Sequence, residues 1–136
     1  MANVFTTEVI QEGARNVNVK LVGILDTSDL ASTIAVDVSA LNCGGTLPTP
    51  TQVRVDKIEY SISDGIGVQL LWDATTDVVL TALAGRGEIL QQRSGGINNN
   101  AGAGKTGDIL VKTTGYSSGT QTFTILLDLI KQGPEL

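Results

Sequence analysis

The sequence predicts an all-β protein, an antiparallel, jelly-roll-like β-sandwich of about eight strands with little helix. Three observations predict it. Apolar residues recur at every second position through most of the chain. Sixteen glycines and many threonines punctuate it as turns would between strands. No window holds an apolar repeat of helical period for more than one turn. At 136 residues and 41% hydrophobic, the chain reads as a single domain spanning residues 1–136. A chain of that size buries roughly two thirds of its unfolded surface and needs no staples.

The opening stretch MANVFTTEVIQEG carries Val4, Phe5, Val9 and Ile10, apolar groups where a terminus is usually polar and frayed. Residues 1–12 are therefore either the first sandwich strand or an arm that docks on a neighbour. NVNVKL places Val17, Val19 and Leu21 on one face, with Asn16, Asn18 and Lys20 on the other. DTSDLAST supplies caps, but its apolar repeat fails after one turn. STIAVDVSAL then predicts a strand with Ile34, Val36 and Val38 facing inward against Ala35 and Asp37.

QVRVDKIEYSIS alternates twice with a slip. Val53 and Val55 share one parity, while Ile58, Tyr60 and Ile62 take the other. A β-bulge near Asp56-Lys57 absorbs the extra residue and keeps both sets inward. SDGIG makes a turn, with Gly65 and Gly67 able to take positive φ. IGVQLLWD aligns Ile66, Val68, Leu70 and Trp72, and DVVLTAL and GDILVKT read as further strands. TFTILLDLIK is apolar on both faces, which marks a central strand. The long links, 41–51 and 84–107, suit crossings between two sheets.

NNNAGAGKTGDILVKTTG, residues 98–115, imitates a phosphate-binding loop. That loop requires Gly, four residues, then Gly-Lys-Ser/Thr, following a strand and opening a helix whose N-terminus faces the phosphates. Here Asn99 stands where the first glycine belongs, and a strand-like alternation follows Thr106. The Gly/Asn-rich stretch 94–107 is therefore a loop, mobile in the isolated protein because small side chains leave little to bury. It is either a surface excursion or a segment that orders against a partner.

The chemical inventory is poor. With no histidine, the commonest proton-transfer group and metal ligand is missing. Asp26/Asp29 and Asp73/Asp77 are the close carboxylate pairs, and each sits where aspartate usually bonds turn backbone. DATTD falls short of the six or more oxygens that calcium takes. Cys43 stands alone, so no intrachain disulfide forms. No enzyme, cofactor or metal site is expected, and no small-molecule ligand. A net charge of −5 and a pI near 4.5 oppose binding to nucleic acid. Nothing resembles a secretory signal or a membrane span, so a soluble protein made in the cytoplasm is expected. A carbohydrate-binding sandwich is the alternative. It needs exposed rings, but Tyr60, Trp72 and Phe123 fall on core parities, leaving Phe5 and Tyr116 as a small platform.

Taken in order, KIEYSISDGIGVQLLWDATTDVVLTALAGRGEI, GGINNN, TGDILVKTTG and TFTILLDLIKQ resemble the small auxiliary capsid proteins of tailed bacteriophages. The resemblance covers roughly residues 15 to 132. It implies a jelly-roll-like decoration or cement protein that attaches to the major capsid protein on the virion exterior, as a homo-oligomer (dimer or trimer). The residues expected to carry partner contacts are Val4, Phe5, Val9 and Ile10 first, then Asn98, Asn99, Asn100 and Lys105. Arg86 and Arg93 follow, as salt-sensitive contacts to an acidic shell.

Overall fold

The computed structural model describes residues 3–13, 16–41, 51–91 and 95–132. Nine strands follow one another: β1 (Val4–Glu12), β2 (Asn16–Leu25), β3 (Thr33–Val36), β4 (Gln52–Ile62), β5 (Gly67–Trp72), β6 (Val78–Leu83), β7 (Arg86–Leu90), β8 (Ile109–Thr114) and β9 (Gln121–Gln132). They form a five-stranded sheet, β1-β2-β9-β4-β7, and a four-stranded sheet, β3-β8-β5-β6. All pairings are antiparallel. No described helix is long and apolar enough to cross a membrane.

The pairings are nested. β2 pairs with β9, β3 with β8, β4 with β7 and β5 with β6. From β2 to β9 the chain is thus one long hairpin with its tip at β5-β6. Rolling that hairpin brings β9 beside β4 and β8 beside β5, which closes the two sheets. β1 is added outside β2.

Alternation in each strand fills the space between the sheets. Val17, Val19, Leu21 and Leu25 meet Phe123, Ile125, Leu127 and Leu129 on one layer, and Val68, Leu70, Trp72, Ile109 and Val111 come from the other. At Gly23 the pattern omits a side chain because the Phe123 ring lies over it; a Cβ there would collide with that ring. Phe5, across from Gly23 on the other side, completes the cluster, its ring centroid 6.2 Å from that of Phe123. The bulge in β4 falls where the parity slip requires it, between Val55 and Lys57, so that Val53, Val55, Ile58 and Ile62 are all buried.

Four local expectations differ from the structure. β3 stops at Val36 and a single 3-10 turn follows (Val38–Ala40). A register shift between Ile34 and Val36 turns Ile34 outward while Ala35 and Val36 are both buried. β7 lies within the segment read as a link, because RGEIL is too short and charged for alternation to stand out. Gly65 and Gly67 do not take positive φ. Gly65 is needed for space, since a Cβ there would lie 2.9 Å from the Gln121 side-chain amide.

The fourth difference is the Gly/Asn-rich loop. Ile97 bridges to Val55 by two backbone bonds of 2.7 and 3.0 Å. Further on, the Thr75 N–H donates to the Ala103 carbonyl, and the Thr106 N–H donates to the Asp73 carbonyl. Gly107, at φ +89°, lies against the Thr51 carbonyl, where no side chain fits. The loop therefore runs from the β4 side of one sheet to the end of β5 in the other. Asn99 and Ala101 are buried along it. Small side chains here permit close backbone approach, rather than leaving nothing to bury.

Candidate interaction surface

The two sheets turn unlike faces to solvent. On the four-stranded sheet, register places Ile34 of β3 beside Leu110 of β8, Leu110 beside Leu71 of β5, and Leu71 beside Val79 of β6. These four side chains form an aliphatic row across every strand of the sheet. Leu71 and Leu110 are buried, at 4% and 8% exposure, but stand outside the core cluster that holds Leu70, Trp72, Ile109 and Val111. The ends of the row are open, Ile34 at 48% exposure and Val79 at 51%. Toward the other end of the same face, Gly67, Gln69, Ala82 and Thr114 line a shallow hollow of about 260 Å³.

The five-stranded sheet presents paired charges instead. Lys20 lies 3.7 Å from Glu8, Lys57 lies 3.0 Å from Glu59, and Arg54 lies 3.1 Å from Asp56. A groove of about 190 Å³ runs between Ile10, Asn18, Lys57, Glu59, Leu126 and Asp128. Partial burial raises the Asp128 carboxyl above its ordinary range, the Asp56 charge adds to the rise, and Lys57 opposes it. The hydrogen bond from Lys57 to Glu59, together with that carboxylate's charge, raises the Lys57 ammonium. Lys131 faces the other way. Its buried ammonium meets the Glu12 carboxylate at 2.8 Å and donates to the Gly13 carbonyl at 2.7 Å, which ties the β1-β2 turn to β9.

The residues singled out in the sequence are not brought together. Val4, Phe5, Val9 and Ile10 lie on edge strand β1, where Val4, Val9 and Ile10 are exposed. Phe5 is turned inward onto Phe123 and packs, partly buried, against the core. Arg86 is exposed on β7, at the opposite edge of that sheet. Arg93 and Cys43 lie outside the described residues. Asn98, Asn100 and Lys105 are exposed on the loop. Asn99 is buried, and its side-chain oxygen accepts the Ala101 N–H at 3.0 Å, which shapes the loop. Its side-chain nitrogen has no hydrogen-bond partner in the structure.

The Lys105 N–H donates to Gly102 in a turn, and a strand follows at Ile109. The helix that a phosphate loop opens is therefore not there. Nor do the aromatic rings form a platform. Phe5, Tyr60 and Tyr116 all pack against the core, and the Tyr116 hydroxyl donates to the Gly119 carbonyl at 2.6 Å.

The close aspartates serve the loops. Asp29 accepts from the Tyr116 N–H and from Thr113 Oγ1, Asp26 accepts from Thr120 Oγ1, and Asp77 accepts from the Ala74 N–H. Asp108 accepts the Val38 N–H at 3.0 Å. Burial raises its carboxyl above the ordinary range, with the Asp37 and Asp73 charges adding to the rise. Among the described residues no three acidic or sulfur side chains converge as a metal cage.

Sequence reasoning missed Ile34, Leu71, Leu110 and Val79. A signal was present. QLLW and DILV carry apolar residues on both parities, as TILLDLI does, and such strands need cover on two sides. No family model matches this chain, and no curated protein matches it.

Proposed function

We propose that the chain is a non-enzymatic virion structural protein: a decoration or cement protein bound to the outside of the major capsid lattice. In this reading the nested, rolled hairpin is a jelly roll, and the protein is a homo-oligomer that bridges neighbouring capsomers. The observation that carries the reading is the aliphatic row Ile34–Leu110–Leu71–Val79 on the outer face of the smaller sheet, buried at Leu71 and Leu110 and open at Ile34 and Val79. An apolar band at that position calls for a partner surface, and the closely cross-linked body behind it suits adhesion. The ordered resemblance to auxiliary capsid proteins supplies the partner's identity.

Physically, cementing means that one body contacts two capsomers, so separating them breaks both contacts. Weak contacts at each subunit suffice when an oligomer engages several sites together. Preference for the mature lattice stabilises that lattice by the difference in affinity between the two shell states.

The test is co-sedimentation with shells assembled from the major capsid protein of the same genome. Saturable binding at a fixed copy number per capsomer is expected. Ile34→Asp and Val79→Asp, at the open ends of the row, are expected to weaken binding at least about tenfold, with melting temperature preserved. Absence of binding to any shell form overturns the proposal.

A further inference from the structure

Of the sheet edges, β1 is the longest, and its one mid-strand charge, Glu8, lies 3.7 Å from Lys20 of β2. β3 is four residues, is bulged, and its Ala35 carbonyl accepts a hydrogen bond from Thr7 Oγ1. β6 carries a register shift against β5. β7 is five residues with Arg86 and Glu88 on it, and Ile97 continues its line along β4. β1 has nine residues, VFTTEVIQE, without a lysine or a proline. Val4 to Val9 stay in unbroken register with β2, and the one bulge comes at the far end, between Val9 and Gln11. No described strand or loop backbone bonds the other side of Val4 to Ile10. Such an edge is a template for another strand unless a short length, a charge or a bulge blunts it.

The side chains on this edge are self-complementary. Phe5, Thr7 and Val9 share the inner face, while Val4, Thr6 and Glu8 share the outer one; Ile10, within the bulge, lines the outer groove beside Asn18 and Leu126. Two copies in an antiparallel pair must match inner with inner, which limits the twofold axis to passing through a residue position. With the axis at Thr7, Val4 meets Ile10 of the second copy and Phe5 meets its Val9. Every exposed apolar residue of the strand then opposes an apolar one, and Glu8 meets Thr6. Moving the axis to Glu8 sets the two Glu8 carboxylates against each other. Moving it to Thr6 sets Val4 against Glu8.

We infer that β1 is a homodimerisation edge. Two copies of the chain join their β1 strands antiparallel about a twofold axis at Thr7, making one continuous ten-stranded sheet. This inference does not rest on the capsid reading; it concerns the isolated chain. Seven paired positions extend about 24 Å. One such edge buries less than the ~800 Å² per partner of a standard stable interface. The dimer is therefore concentration-dependent, and its dissociation falls within the range that sedimentation measures.

Sedimentation equilibrium on the isolated chain, with hydrogen exchange at low and high concentration, tests it. A monomer–dimer equilibrium is expected, with protection of β1 amides that grows with concentration. Val9→Lys puts a charge on the edge at an already exposed position and is expected to weaken the dimer at least about tenfold. Thr6→Glu, facing Glu8 of the second copy, is expected to weaken it, and Thr6→Lys to strengthen it. That reversal of sign reports the register, and unchanged monomer melting temperatures show that each variant folds. A monomer at every concentration, a trimer, or a dimer indifferent to Val9→Lys and to both Thr6 substitutions overturns the inference. Failure to bind capsid shells leaves the dimer result standing, so the two proposals fail separately.

Discussion

The five-stranded and four-stranded sheets are rolled from the same hairpin, yet their solvent faces obey different rules. On the larger face, the pairs Lys20–Glu8, Lys57–Glu59 and Arg54–Asp56 stand among open aliphatics such as Val4, Ile10 and Leu126. On the smaller face, Ile34, Leu110, Leu71 and Val79 make the sheet apolar on both sides. Paired exposed charges add little stability and keep a surface soluble. An exposed aliphatic adds little until something covers it. In the proposed reading, the open ends of the row, Ile34 and Val79, are what a partner covers.

The contrast between inner and outer faces can be broken most forcefully by setting a core residue against an open end of the row. Leu70→Ala opens a cavity between the sheets and should cost about 2–5 kcal/mol, whereas Val79→Ala, half exposed on the outer row, should cost about 1 kcal/mol. Urea denaturation of the two variants measures the gap. Equal losses would mean that Val79 belongs to the core.

Inside the larger sheet, Gly23→Ala forces the Phe123 ring away from Gly23 and disturbs its packing with Phe5. A loss of about 1–3 kcal/mol is expected from such overpacking, again read from the denaturant midpoint.

On the charged face the effects are smaller. Lys57→Ala breaks a solvent-exposed pair, and any loss it causes should vanish in high salt. Asp128→Asn is the subtlest. Because the folded carboxyl is raised, the Asp128 contribution is fully present below the ordinary value of 3.8 and is lost as pH rises through its folded value. The variant should therefore match the parent at low pH and be slightly more stable at pH 7. The gain should stay under about 1 kcal/mol, because solvent screens this mostly exposed group. Melting curves across pH 3–7 test the sign.

Much of the fold was legible in the sequence because strand burial writes itself in parity. The slip between Val55 and Ile58 announced the β4 bulge, and the double-sided apolarity of TILLDLI announced a central strand. What escaped notice depends on contacts between distant segments. Nothing near RGEIL says that β4 lacks a second neighbour, so β7 passed for a link. Ile34 sits in regular alternation with Val36 and Val38, and only the pairing with β8 reveals the shift that turns it outward. Composition could not show the loop's anchors at Val55, Asp73 and Thr75, since they are far away in sequence. The aliphatic row was half legible: Leu71 and Leu110 showed as doubled apolar positions, but only register aligns them with Ile34 and Val79.

The nested pairing also orders events in time. β9, the last of the nine strands to leave the ribosome, is the middle strand of the larger sheet, lying between β2 and β4. Until residue 132 has emerged, β2 and β4 have no shared neighbour, and β1-β2 and β5-β6 are the pairings between strands adjacent in sequence. Closing residue 16 onto residue 130 spans nearly the whole chain, a slow, non-local step. The nascent protein must carry two incomplete halves of a sheet with exposed aliphatic edges until its final strand arrives, so it depends on swift completion or on a chaperone's hold.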